Sequence, residues 1–385
     1  MVADQLAFME TPVAPSALVA RCRRSLAVRR AVACAALVGT VLLVAFGLTA
    51  GLRAEPTQKA SWGGDLEFYE RVIKDVRSGK PYEQAAMDEI RSQRGAVKPF
   101  MTIRPPLLAE LMGMAPDTQA RILAVRLLAS LVLIIWFLRL TDDPAIGLLR
   151  WPLLAALSTG VAMACAPQAY LMHEVWAGLL MALSLALRTP KHWLASVVVG
   201  TLAAVLRELA APFLLAMAAM AFLERRPREG GAWLTGLTVF AVTLAGHAAA
   251  VQALLLPTDT AAPGWVKFGG WPFVLHAVNW NLVSLVAPAR TVGCVFPLAL
   301  LGLAAWRDAL GRRVALVVTG YVLGFLFVGR DGNAYWGLLI APLWPLGVAL
   351  APQALAWIWR TLAPDTVQTG WVHRLRPKGI LALSD

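Results

Sequence analysis

Charge is scarce in this chain. Only 15% of its 385 residues are Asp, Glu, Lys or Arg while 58% are hydrophobic, which excludes an ordinary water-soluble domain. Cysteine is scarcer still: Cys22, Cys34, Cys165 and Cys294 are scattered, with no CxxC pair and no Cys/His spacing of a zinc site. They carry no message about redox compartment. Also missing are HxxxH, a GxSxG elbow, a P-loop and a dinucleotide fingerprint, so cytosolic nucleotide chemistry has no support. No internal repeat, low-complexity tract or second soluble domain is visible.

What the chain has instead is length of apolar sequence. Runs near 31–51, 121–140, 151–166, 173–187, 192–206, 208–223, 232–256, 285–305, 314–328 and 336–353 each approach the length needed to cross a hydrocarbon layer of roughly 30 Å. The expectation is an all-α polytopic membrane protein of about ten spans, within a range of about 8 to 12, forming one membrane domain over 1–385. The pair around Arg207 and Glu208 also fits one broken or re-entrant unit.

The net charge is +12, but Lys and Arg fall in short clusters between the runs, which fits the positive-inside rule rather than nucleic acid. Arg21, Arg23, Arg24, Arg29 and Arg30 precede the first run, which is longer than a cleaved signal sequence and so reads as a retained anchor. With that N-terminus cytoplasmic, Arg150, the segment 188–192, ERRPR (224–228), RDALGRR (307–313) and the basic C-terminal tail fall on the same side. The one long loop on the other side is then 52–120.

That loop opens with GGDLEFYERVIKDVRSGKPYE (63–83). Leu66, Tyr69, Ile73 and Val76, flanked by Phe68 and Val72, recur at helical spacing opposite Glu67, Glu70, Arg71, Lys74 and Asp75, as in a helix lying on a membrane surface. SGKP ends it, a second polar helix is expected near 82–94, and IRPPL (103–107) turns the chain back to the bilayer. Trp62, Trp151, Trp193, Trp271 and Trp336 sit near run ends, as an interfacial belt would place them.

Ionisable residues at the hydrocarbon are costly unless paired or wet, so they are the candidates for function. By this topology Asp65, Arg104, His173, Glu174, Arg207, Glu208, Lys267, His276, Arg290, Arg330 and Asp331 all lie toward the extracytoplasmic face. Plainer roles compete. Asp65 follows two glycines at a helix start and suits an N-cap. Arg104 suits a headgroup anchor, His173 a satisfied interfacial ring, and Arg330 with Asp331 an exposed turn. Arg207 and Glu208, as neighbours on a helix, are expected to point apart and to need separate partners, as in an intramembrane ion pair. No metal-site spacing stands out, because Asp142 and Asp143 fall on the opposite side.

The order of these parts resembles a family. Asp65 to Tyr69 as D-x-x-x-Y, the V-x-x-G-K-P-Y phrase at 76–82 and the closing PP are similar to the first outer loop of the GT-C superfamily of polytopic glycosyltransferases, nearest the bacterial DUF2029 or GT87-like branch. EVWAGLLMALSLALR (174–188), LRELAAPFLLAMA (206–218) and YWGLLIAPLWPLG (335–347) also resemble pieces of such proteins.

The resemblance implies a bacterial inner-membrane enzyme with both termini cytoplasmic and its site extracytoplasmic. A polyprenyl-phosphate-linked sugar would be the donor, and a lipid, glycan or other envelope hydroxyl the acceptor. Asp65 then corresponds to the catalytic base. Arg104, Arg207 and Arg330 are candidates for the donor phosphate, since a guanidinium forks onto phosphate oxygens. His173, Glu174, Glu208, Tyr69, Tyr335 and Trp336 are candidates for sugar or acceptor, the aromatics by stacking or by packing alone. No DxD appears in the first outer loop, so a divalent metal is unsupported and no cofactor is expected. A transporter or flippase of lipid-linked sugars and a non-catalytic membrane subunit remain as rivals. Alternating access would place polar groups near the midplane and on both sides, whereas here they gather toward one face.

Overall fold

In lipid, a long apolar run satisfies its own backbone only as a helix or as part of a closed barrel. Helices are what this chain forms. The structure is a computed structural model and describes residues 15–53, 62–282 and 289–363. In chain order the helices are α1 (Pro15–Arg53), α2 (Trp62–Arg77), α3 (Tyr82–Ser92), α4 (Leu107–Met114), α5 (Thr118–Thr141), α6 (Arg150–Val161) and α7 (His173–Leu187). They continue with α8 (Leu194–Leu206), α9 (Ala211–Leu223), α10 (Pro227–Ala253), α11 (Gly270–Val278), α12 (Ala289–Ala305), α13 (Ala309–Phe327) and α14 (Leu346–Leu362). Among the described residues no strand forms; extended pairing is confined to isolated bridges, Lys98 with Ala261 and Val266 with Val328.

Five helical segments, Leu26–Thr49, Thr118–Thr141, Gly147–Cys165, Pro227–Ala253 and Ala309–Phe327, are long and apolar enough to cross a membrane. Shorter apolar helices at His173–Leu187, Leu194–Leu206, Glu208–Leu223 and Thr291–Ala305 accompany them. Their outward faces are greasy: Leu127 is 59% exposed, Val198 60% and Val242 66%, which water would penalise and lipid does not. Central to the stack is α7, nearly all of whose residues are buried, packed between α5 and α8. Local signals set several boundaries. Asp117 caps α5 by accepting from the Ala120 N–H at 2.8 Å, and Asp308 caps α13 through the Gly311 N–H at 2.6 Å.

Helices α2, α3 and α4 form a layer over one end of the stack. The apolar stripe of α2 faces protein and not a membrane surface: Val72 and Ile73 are 1% and 3% exposed, and α2 packs on α3 and α4. The helical periodicity is as expected, but a hydrophobic face reports burial without saying against what. Arg91 fastens this layer to the turn after α10, donating to both carboxylate oxygens of Asp259 at 2.9 and 2.8 Å.

The last apolar run also differs from expectation. In place of one span over 336–353, a 3-10 segment (Asp331–Leu339) dips between α11 and α7, and α14 begins only at Leu346. Pro342 and Pro345 interrupt the helical ladder there. Gly337 and Gly178 make the insertion possible, because a Cβ on either would overlap a carbonyl, that of Ala277 or of Leu338. Trp336 is consequently buried at 6% exposure and belongs to the core, not to an interfacial belt. The short buried α11 was invisible as a separate element within the run of residues between the apolar spans.

At the opposite end of the stack lies a second cluster of charge. Arg188 donates to both oxygens of Glu229 at 2.9 and 2.8 Å, and Arg313 to both of Glu224 at 2.8 and 2.7 Å. Arg188 also reaches Glu224 at 3.1 Å. The end of α7, the α9–α10 corner and the start of α13 are joined by these bonds.

Candidate functional site

The site is assembled where helices stop. Helix α8 ends at Leu206, and Arg207 is extended at φ −144°, ψ 112°, before a 3-10 turn, Glu208–Ala210, leads into α9. This break reverses the expectation that Arg207 and Glu208 point apart and need separate partners. In extended backbone the two side chains reach one another, and Arg207 Nη1 donates to Glu208 Oε1. Arg207 also lies with Nε 2.8 Å from Glu174 Oε1.

Glu174, in the first turn of α7, is wholly buried. Its second oxygen lies 3.8 Å from Arg104 Nη1, so one carboxylate stands between two guanidiniums. The helix N-terminus favours negative charge there as well. Arg104 arrives from the turn before α4. Its guanidinium lies 4.7 Å from the ring centre of Tyr69 and 5.5 Å from that of Tyr335, and it donates to the Tyr335 hydroxyl at 3.2 Å.

His173 completes the cluster. Arg104 Nη1 donates to His173 Nδ1 at 3.3 Å. A guanidinium has only donors, so Nδ1 accepts and the ring proton sits on Nε2. That nitrogen is buried without a hydrogen-bond partner, as is Glu208 Oε2. The cluster thus balances two guanidiniums with two carboxylates, and His173 Nε2 and Glu208 Oε2 offer a donor and an acceptor, the pair of functions a hydroxyl requires.

Burial raises the Tyr69 phenol well above its ordinary range, with Arg104 pulling the other way. Tyr69 therefore stays protonated against the cation.

Seven of the candidate residues are brought together in this way: Tyr69, Arg104, His173, Glu174, Arg207, Glu208 and Tyr335. Arg330 is not among them. Its backbone N–H donates to Asn333 Oδ1 at 3.2 Å, and among the described residues no contact joins its guanidinium to the cluster. Trp336 is next to Tyr335 in the chain but is packed into the core. Asp65 lies in α2 one helical turn before Tyr69, and its side chain falls outside the described residues, as does that of Arg290.

Two residues outside the candidate site set, Tyr82 of the V-x-x-G-K-P-Y phrase and His247, hold the Arg104 turn. The Tyr82 hydroxyl donates to the Arg104 carbonyl at 2.9 Å, and His247 lies 3.1 Å from the Ile103 carbonyl through Nε2. Helical spacing within 82–94 placed Tyr82 on an element, but nothing local announced its partner.

Beside the cluster is a cavity of about 190 Å³ lined by Pro105, Pro106, Leu107, Glu110, Val205, Phe240, Thr243, Leu244 and His247. Its wall continues directly from Arg104 on one side and stops two residues short of Arg207 on another. Among the described residues no three His, Cys, Asp or Glu side chains converge to hold a metal ion. No family model, curated protein or solved structure matches the chain.

Proposed function

We propose that this chain is a membrane glycosyltransferase of the GT-C type, transferring a sugar from a polyprenyl-phosphate donor to an acceptor hydroxyl on the extracytoplasmic side. In this reading the shorter apolar helices and α14 also cross the bilayer, giving about ten spans with both termini cytoplasmic. The observation that carries it is the convergence of Arg104 and Arg207 on one buried carboxylate beside a largely apolar cavity. Guanidiniums near an apolar recess suit a ligand with an anionic head and a hydrocarbon tail.

The chemistry follows from those groups. As the acceptor oxygen bonds to the anomeric carbon, the bond from that carbon to the lipid phosphate breaks, and the phosphate departs as an anion. Positive charge stabilises it, and Arg104 and Arg207 supply that charge. The acceptor proton passes to a carboxylate, and attack opposite the leaving group inverts the anomeric centre. Asp65 is the assigned base, one turn before Tyr69 on α2. Glu208 Oε2 and His173 Nε2 orient hydroxyls, while Tyr69 and Tyr335 keep Arg104 in place and offer ring faces to a sugar.

Transfer from a radiolabelled polyprenyl-phosphate sugar by purified protein and its Asp65→Asn variant tests the reading. The variant is expected to lose on the order of a hundredfold or more in rate while keeping its fold. Absence of transfer by the wild type across a broad donor and acceptor panel overturns the function. Full activity of Asp65→Asn overturns the base.

A further inference from the structure

At the end of the stack remote from the Arg104 cluster, arginines outnumber the carboxylates that hold them. Glu229 accepts two bonds from Arg188, at 2.9 and 2.8 Å. Glu224 accepts two from Arg313, at 2.8 and 2.7 Å, and a third from Arg188 at 3.1 Å. A carboxylate has about four lone-pair positions, so little capacity remains on Glu224. Arg312 and Arg226 approach the same carboxylate but come no nearer than 3.5 and 3.8 Å. Four guanidiniums thus face two carboxylates, and two positive charges are in excess.

The surplus is on the outside. The side chains of Arg188 and Arg313 are 4% and 1% exposed, whereas those of Arg226 and Arg312 are 36% and 55% exposed. Arg226 gives one nitrogen to the Pro190 carbonyl at 2.7 Å. The acid nearest in sequence to Arg312, Asp308, already accepts from the Gly311 N–H and the Trp306 indole.

The fold presents this pair beside apolar surface. Helix α9 closes in a Schellman turn, with the Arg226 N–H bonded to the Ala221 carbonyl and the Arg225 N–H to that of Phe222. Arg225 takes the left-handed position, φ 56°, and α10 starts at Pro227. Arg226 therefore immediately precedes Pro227–Ala253, and Arg312 lies in the first turn of Ala309–Phe327, both segments long and apolar enough to cross a membrane. Leu223 and Phe222, just before Glu224, are 77% and 46% exposed. Basic groups at such a depth, next to bare apolar side chains, match a lipid head group and the start of its chains.

We propose that Arg226 and Arg312 form a second anion site, which holds the phosphate head group of an anionic membrane lipid, with Leu223 and Phe222 against its acyl chains. A phosphate monoester carries close to two negative charges at about pH 7, which matches the excess. Guanidiniums fork onto its oxygens, whereas the lone pairs of Glu224 are largely taken. The deeper pairs, Arg188 with Glu229 and Arg313 with Glu224, join the helices and stay as they are. The site is independent of the glycosyl transfer proposed above, since it draws on none of the residues assigned there.

Hydrogen exchange of the full-length protein in detergent, titrated with dioctanoyl phosphatidic acid, tests the site. Protection is expected to rise in residues 221–230 and 307–313 of the wild type. Dioctanoyl phosphatidylcholine, with the same chains and no net charge, is expected to leave those residues unchanged. The titration midpoint is expected to move up about fivefold in Arg226→Gln and in Arg312→Gln, and about 25-fold in the double variant. Because the titration is read at this corner alone, binding of the same lipid at the Arg104 cluster does not enter it.

Absence of protection by phosphatidic acid at 221–230 and 307–313 overturns the site, and so does an unshifted midpoint in the double variant. Equal protection by phosphatidylcholine overturns the role of charge. Equal protection by inorganic phosphate at the same concentration overturns the lipid occupant in favour of a free anion. The wild-type comparison of the two lipids and phosphate needs no variant, so a folding defect in the double variant leaves it decisive.

Discussion

Arg207 Nε lies 2.8 Å from Glu174 Oε1, across the gap between the broken end of α8 and the first turn of α7, and Glu174 has no exposed surface. Removing the carboxylate leaves the buried Arg104 guanidinium without its anionic partner and Arg207 with Glu208 alone. Glu174→Ala is expected to destabilise the protein by about 3–5 kcal/mol, the cost of orphaning a buried charge. Replacing Arg207 together with Glu174 by apolar residues is expected to cost less than the sum of the single changes. Thermal unfolding in detergent of the two single variants and the double variant measures the coupling.

Arginines 104 and 330 separate in the structure although both were candidates for the phosphate. Arg104→Ala is expected to abolish farnesyl phosphate binding, and Arg104→Lys to restore little, since an ammonium neither forks onto phosphate nor stacks flat between Tyr69 and Tyr335. Arg330→Ala is expected to bind like the wild type. An equilibrium binding assay on the three variants decides it, and strong loss in Arg330→Ala would place a further cation in the site.

The buried 3-10 segment makes a steric prediction. Gly337→Ala drives a methyl into the Ala277 carbonyl and is expected to cost about 1–3 kcal/mol, with lower yield of folded protein. Gly39→Ala in α1 meets nothing within 4 Å and serves as the control; it is expected to be neutral or stabilising by about 0.5–1 kcal/mol through helix propensity. Melting curves of both variants in one detergent provide the comparison.

Asp259 supplies a pH dependence at the acid end of the range. The bond from Arg91, with the Leu256 N–H, lowers its carboxyl to about 2. A depressed carboxyl stabilises the fold above its unfolded value near 3.9, and that stabilisation drains away as pH falls from about 4 to about 2. Hydrogen exchange of residues 91–98 and 254–262 is expected to accelerate, beyond its intrinsic pH effect, over that window in the wild type. In Asp259→Asn the excess acceleration is expected to vanish.

Much of the helical scaffold was legible because apolar helices advertise themselves by run length alone. The apolar runs at 121–140, 173–187 and 192–206 coincide with α5, α7 and α8 to within a few residues. What hydropathy does not encode is the partner of an apolar face, and α2 shows it: the same stripe suits a membrane surface or the protein layer it packs on. Pairing over long separations was equally silent. His247 and Glu83 are 164 residues apart, and Arg91 and Asp259 168.

Within the site, Arg104, His173, Glu174, Arg207 and Glu208 stood out because charge among apolar residues demands a reason. The contact between Arg207 and Glu208 was misread because it depends on an extended residue between two helices, which no periodicity reveals. Arg330 stood out for the same reason as Arg104, yet among the described residues no contact joins its guanidinium to the cluster. A charged residue beside a glycine looks the same in sequence whether it faces the cluster or a turn.

The lengths of α7 and α8 have a further consequence. At 15 and 13 residues they rise only about 20 Å each, whereas a hydrocarbon layer is roughly 30 Å thick. Under the proposed function, a helix of that length starting at one face of the layer stops some 10 Å beneath the other, which would put Glu174 and Arg207 at the bottom of a well. The layer of α2, α3 and α4 would then form the well's rim. A substrate that already lives in the bilayer reaches the floor by moving sideways, while one dissolved in water must come down past the rim.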